Sequence, residues 1–514
     1  MNYLDYVQMT KGQQIAYNIK SFFTGIPGAI AGLFRAIGMF FVGVFKFIGN
    51  GFKGYGSRFV KGDFGTKLSY VVCGAGNIFH GQIMKGLIML ACEVGYFYFM
   101  AVFGLNQLRL MYSDIPIFNE VGEQVGIRHG SVGDTPTHVV ATEGLFGATY
   151  TTMPGNDSAV ILLYGVLTLV VTVVFFAFYI ANTKSAYETY LIKAEGGKPN
   201  SFFKDIYDLF DSKFHITLLA LPVALLGVFT VVPIIYTIFM AFTNYDKEHL
   251  YPAKQFWWVG FDNFKEMFVS GSETSSVFGR ILLWTLVWAF FATFTNYIAG
   301  IILALMINKK GINLKAMWRT IFVVTAAVPQ FVTLLIMNLM LRDNGAVDAF
   351  FGQQMHLLSN ANNARVICII VNLWVGIPYT MLITSGLLMN IPEDLYESAR
   401  IDGANVVQQF TKITFPYIFF VTTPYLITTF VGNINNFNVI FLLTGGGPSN
   451  DPDYAAAGAG PTDLLVTWLY KLTLNEQKYN LAAVIGIFVF IITAGGSLIT
   501  FNMSKASKNE EEFS

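Results

Sequence analysis

Four asparagines, Asn433, Asn435, Asn436 and Asn438, stand close together inside an apolar run, and Asn372 interrupts a second one. An amide carries two N–H donors and a carbonyl acceptor, the complement that sugar hydroxyls require. Tyr379 and Phe437 stand in the same runs, and aromatic rings can cover the apolar faces of a pyranose. The same amides would serve as interhelical glue, at about 0.6–2 kcal/mol per bond and with no ligand. Residue type leaves the two readings level. Other chemistry is thinly provided. Cys73, Cys92 and Cys368 form no CxxC pair and lie in or beside apolar segments, as packing residues do. The six histidines lack metal-ligand spacing, and no GxxxxGK[ST] loop is present to cradle nucleotide phosphates. Glu93 is the chief other ionisable group within an apolar run. Snorkelling, protonation or a bond to a neighbouring helix accounts for it without a function. No catalytic or metal-ligating set is expected.

What must position these amides follows from composition. Of 514 residues, 54% are hydrophobic, 16% aromatic and only 12% charged. Soluble chains carry about 25% charged residues, so half of the usual solvating surface is missing. The chain reads as an all-α polytopic membrane protein in the lipid bilayer. Zero net charge removes any electrostatic case for nucleic acid. A span needs about 20 apolar residues. Eight candidates meet that need, near 86–104, 158–181, 217–243, 280–306, 320–341, 365–389, 416–443 and 480–502. An even number puts both termini on one side. With that side cytoplasmic, 22 of the 32 Lys and Arg lie inside. Leaving out residues 1–85 reduces the count to 13 against 10, so orientation leans on Lys309, Lys310, Lys315 and Arg319 and on the segment after Ala181.

Residues 15–48 differ. Ile15, Ile19, Phe22, Ile26, Ile30, Leu33 and Ile37 recur at the helical period, interrupted by Lys20, Arg35 and Lys46. Arg35 at the centre of a span would cost about 2.5–3.5 kcal/mol, so an interfacial amphipathic helix is expected instead. The start of the chain lacks the features of a cleaved signal peptide. Residues 105–157 are polar with scattered aromatics and suit a small cap outside the membrane. Residues 444–479 open as a flexible glycine- and proline-rich tip and end in an apolar stretch, TDLLVTWLY.

Between the sixth and seventh runs lies EDLYESARIDGANVVQQFTKITFP (393–416). Asn390 and Pro392 suit a helix start, Glu393, Asp394 and Glu397 oppose the positive end of its dipole, and Gly403 permits the left-handed residue that ends it. Val406, Phe410 and Ile413 restart an apolar stripe, and Pro416 opens the next span. A capped connection would need no more. The spacing adds to this reading: Glu397, Ser398, Ala399, three residues, Gly403, nine residues, Ile413, one residue, Phe415 and Pro416. It resembles the EAA loop of ABC importer permeases, with Ser398 for alanine and Phe415 for leucine. The resemblance implies a coupling helix that docks in a groove of an ATPase subunit.

From about 215 to 502 the chain resembles permeases of the maltose/maltodextrin (MalF) type. The stretches that carry this are FTNYD (242–246), VNLWVGIPY (371–379), GLLMNIPEDLYESARIDGA (386–404), NINNFNVIFLLTGGGP (433–448) and TDLLVTWLY (462–470). Earlier residues match only in supplying two extra spans. The implied fold is a type I importer permease with a MetI-like core and eight transmembrane helices. Its segments would be 1–85, cytoplasmic or interfacial; 86–214, two accessory spans; and 215–514, a six-span core. Gram-negative members carry a large external domain between the third and fourth spans. Here about 36 residues, 244–279, connect them, which fits a cell with one membrane and a lipid-anchored binding protein.

The resemblance implies a sugar site at Asn372, Val375, Gly376 and Tyr379 on one span and at Asn433 and Asn436 on the next. That last pair, three residues apart, would share a helical face. Two further family positions, an aromatic and a serine, fall on Ala326 and Gln330, and Gln330 can still bond a hydroxyl. The implied partners are a second permease subunit, two ATPase subunits carrying ATP and Mg, and an extracellular sugar-binding lipoprotein. No cofactor or enzymatic activity is expected in this chain. The implied task is ATP-driven import of a maltodextrin-type oligosaccharide through a bacterial plasma membrane. A galacto- or manno-oligosaccharide importer and an ion-coupled secondary transporter are the alternatives.

Overall fold

The computed structural model describes residues 53–503 apart from 119–123, 145–146, 253, 270, 310 and 449–450, together with 43, 46 and 49–51. The helix expected over 15–48 lies outside the described residues except for Gly43 and Lys46, both helical. By contacts the described residues divide into one unit that ends at Asn263 and another that begins at Phe264. The third span thus packs with the two before it.

In the first unit, α1 (Ile83–Phe99) continues through a π turn to Leu110. Strands β1 (Ser113–Phe118) and β2 (Gln124–Ser131) form one antiparallel hairpin, and β3 (His138–Gly144) and β4 (Gly147–Met153) a second. The cap expected over 105–157 is therefore built from β-hairpins. Helix α2 (Ser158–Ala194) starts where Asp157 accepts from the Ala159 and Val160 N–H groups, at 3.0 and 3.2 Å. Helices α3 (Phe214–Leu226) and α4 (Val232–Met240) meet at a π turn and make the third span. Glu93 bonds a neighbouring segment, accepting the Cys73 N–H at 2.8 Å. Cys73 and Cys368 are buried and Cys92 is exposed.

The second unit holds α5 (Glu273–Asn308), α6 (Lys315–Ala327), α7 (Gln330–Leu341), α8 (Ala361–Leu388), α9 (Glu393–Ile401), α10 (Val406–Gln409), α11 (Phe415–Ile434), α12 (Phe437–Leu443), α13 (Leu465–Leu474) and α14 (Tyr479–Met503). Across both units, seven helical runs among the described residues are long and apolar enough to cross a membrane. The eighth expected span, 320–341, is not a continuous helix. It breaks between α6 and α7, with a bend of 77°. Steric conflict with Pro329 drives Val328 to extended backbone, φ −77° and ψ 128°, and the helix must stop there.

In the 444–479 segment the apolar stretch that follows the glycine- and proline-rich opening is packed into the protein. Trp468 is fully buried and donates to the Ala457 carbonyl at 2.9 Å. Beneath it Asp463, with no exposed surface, accepts from Lys471 Nζ at 2.6 Å, from Thr467 Oγ1 at 2.8 Å and from the Gly460 N–H at 2.7 Å. Burial pushes the Asp463 carboxyl above its usual range, against the opposing pull of those three donors. Removing one partner of a buried pair costs about 3–5 kcal/mol. Lys471→Met is therefore expected to lower the melting temperature of the detergent-solubilised protein. Adding Asp463→Asn to Lys471→Met is expected to restore much of the loss. A melting curve unchanged by Lys471→Met would show that the pair does not hold this segment.

Candidate functional site

Helices α5 and α8 cross closely because glycines sit at the crossing. A Cβ on Gly300 would lie 2.4 Å from Thr380 Cβ, and one on Gly376 would lie 2.4 Å from Asn296 Nδ2. Small residues at such crossings let membrane helices approach without a clash. Where α11 passes the same crossing, a cavity of about 220 Å³ opens. Its wall is Thr293, Asn296, Tyr297, Asn372, Gly376, Tyr379, Thr380, Tyr425, Leu426, Thr429 and Asn433. These are amides, hydroxyls, aromatic faces and one aliphatic side chain, with no charge among them. The arrangement can hydrogen-bond a neutral polyhydroxylated solute and stack against its rings.

Four residues expected at the site, Asn372, Gly376, Tyr379 and Asn433, thus share one cavity. Asn433 is buried, donates to Thr293 Oγ1 at 3.0 Å and accepts from Asn436 Nδ2 at 3.3 Å, while its backbone carbonyl accepts from Trp288 Nε1 at 3.1 Å. Asn436 does not share a helical face with Asn433. Helix α11 ends at Ile434, and Asn436 is the N-cap of α12, its Oδ1 accepting the Val439 N–H at 3.3 Å. Asn436 thus reaches the cavity only through Asn433. Val375 is half-buried and outside the wall. Gln330, displaced by the break at Pro329 to the first turn of α7, is also outside it. Phe437 stacks on Phe441, with centroids 4.7 Å apart, and against Tyr470 at 4.9 Å. Thr293, Asn296, Tyr425 and Thr429 belong to the wall and were not expected. Asn296 could have been found by the criterion that finds Asn372, an amide within an apolar run.

The 393–416 segment is an exposed helix–turn–helix. Helix α9 has no buried residue, and Leu395, Ile401, Val406 and Val407 are all exposed. Gly403 takes φ +77°, and the Gly403 and Ala404 N–H groups close the turn onto the Arg400 and Ala399 carbonyls at 3.0 and 2.8 Å. Asn405 and Gln408 form a capping box that starts α10, and Tyr396 OH meets Thr414 Oγ1 at 2.9 Å, tying α9 to the π turn that leads from α10 into α11. Ala399, Gly403 and Ile413 line a recess of about 350 Å³ with Asp402, Gln408 and Lys412. Glu397, Ser398 and Pro416 are exposed outside it. Pro416 sits in the first turn of α11, where its missing N–H costs nothing.

Residues 296–507 match the family of binding-protein-dependent transport system inner membrane components. The chain is 35% identical over 459 residues to the maltodextrin transport system permease protein MdxF of Bacillus subtilis (strain 168), covering 86% of this chain and 95% of that protein. It is 37% identical over 367 residues to the galactooligosaccharides transport system permease protein GanP of the same organism, covering 70% and 86%. Among solved structures, a bacterial alginate ABC transporter in complex with alginate pentasaccharide-bound periplasmic protein aligns over 59% of this chain and 97% of that one, with 25% identity and a TM-score of 0.47. The chain belongs to the binding-protein-dependent ABC importer permeases. Within them it is a sugar-importer permease of the MalF/MalC type, a multi-pass protein of the plasma membrane.

Proposed function

We propose that this permease passes a neutral oligosaccharide of the maltodextrin class across the membrane through the cavity between α5, α8 and α11. The convergence of Asn372, Gly376, Tyr379 and Asn433 on one uncharged wall carries the reading. At about 220 Å³ the cavity is smaller than the roughly 300–1,000 Å³ of typical small-molecule sites. A more open state, or a second permease subunit, completes it. The assembly has two permeases, two ATPases that hold ATP and Mg, and an extracellular binding lipoprotein. Residues 393–416 dock in the ATPase and transmit its closure as alternating access. The chain itself carries no catalysis; residues 1–85 lie at the cytoplasmic surface, 86–214 are accessory and 215–514 form the core.

The greater identity to GanP supports a second reading, a galacto-oligosaccharide as the solute. Uptake by the complete importer of labelled maltotriose against labelled β-1,4-galactotriose separates the two. Uptake of neither would remove both readings.

Orientation has its own test. Both termini are cytoplasmic in this proposal, and Ser359 and Ser398 flank opposite ends of α8. In a cysteine-free background, Ser398→Cys is expected to react with an impermeant thiol reagent only from inside, and Ser359→Cys only from outside. The reverse pattern would invert the topology.

A further inference from the structure

Asn296 is 7% exposed, lines the cavity and lies against Gly376. Its Nδ2 donates to the Ala292 carbonyl one turn earlier on α5, at 2.7 Å. Its Oδ1 is buried and has no hydrogen-bond partner among the described residues. The Ala292 carbonyl only accepts, so turning the amide over would set oxygen against oxygen; the free atom is therefore the acceptor. The amide makes no hydrogen bond across the α5–α8 crossing and so is not glue there. A buried acceptor kept unpaired in the wall marks a place where a donor is expected.

We infer that Asn296 is a specificity-determining residue of the solute site, its Oδ1 accepting one hydroxyl of the passing saccharide. The inference rests on the proposed sugar site and adds to it a demand for a donor. A small rotation of the amide, or a slight parting of α5 from α8 at Gly376, brings the oxygen onto the cavity. A sugar bearing hydroxyl there is accepted; one bearing fluorine or carboxylate, which accept but do not donate, is rejected.

The test is uptake by the complete importer of maltotriose and β-1,4-galactotriose and of analogues with one hydroxyl at a time replaced by fluorine. The parent is expected to disfavour at least one analogue by about ten- to a hundredfold in half-saturating concentration. Asn296→Leu is expected to abolish discrimination at that hydroxyl and leave the others unchanged. Asn296→Val serves if the leucine variant does not accumulate, since it is smaller and offers neither a donor nor an acceptor. An unchanged discrimination profile in whichever variant accumulates would overturn the inference. Asn372→Leu and Asn433→Leu run beside it. If they alter uptake or the profile and the Asn296 variants do not, only this inference fails. If none does, or neither trisaccharide is taken up, the sugar site itself fails.

Discussion

Gly403→Val uncouples the importer: sugar-stimulated ATP hydrolysis and uptake both fall by at least about fivefold, while the permease still reaches the membrane. The space around Gly403 is open, with no atom of the other described residues within 4 Å of an added Cβ, so the added carbon meets no clash. What it meets is φ +77°, which a β-branched residue adopts only at a cost of about 1–3 kcal/mol. The turn that sets α9 against α10 then relaxes, shifting its population by about five- to 150-fold. The spans do not depend on that turn, so membrane abundance holds. Gly403→Asn tolerates the left-handed region and is expected to retain most coupling. Uptake and ATP hydrolysis that both survive Gly403→Val would show that the turn does not transmit motion.

Asn372→Leu gives the second large effect. Leucine has a similar volume and suits the bilayer interior, so folding is nearly intact. A sugar hydroxyl left unpaired in the cavity costs about 1–3 kcal/mol, read as a roughly 5- to 150-fold loss in transport efficiency. Asn433→Leu loses transport too, but is expected to lower membrane abundance as well, because Asn433 also holds Thr293 and Asn436. Normal uptake per folded molecule with Asn372→Leu would take this amide out of the site.

Much of this architecture was legible because the bilayer forces it. Seven spans show as apolar runs since every membrane-facing residue must be apolar, and the 393–416 turn shows because Gly403 is fixed by backbone conformation. Breaks inside apolar runs were harder to read. Hydropathy is blind to the bend at Val328–Pro329, although proline announces it, and to the stop at Ile434, which turned a supposed helical face at Asn433 and Asn436 into a cap. Gln330 was lost from the cavity for the same reason, since its direction depends on the bend before it. The hairpins of 113–153 carry no clean alternation that distinguishes them from a polar loop. The Asp463–Lys471 pair joins two residues that the sequence shows only as scattered charges around an apolar stretch. Asn296 meets the criterion that picks out Asn372, an amide within an apolar run; its place beside Gly376 on another helix shows only in the structure.

The central claim is that this permease moves a neutral oligosaccharide using ATP hydrolysed by partner subunits. Vesicles holding the complete importer, with ATP enclosed and the binding protein and labelled trisaccharide outside, test it directly. Uptake is expected with enclosed ATP, none without it, and no response to an imposed proton or sodium gradient. Uptake driven by an ion gradient in the absence of ATP would contradict it.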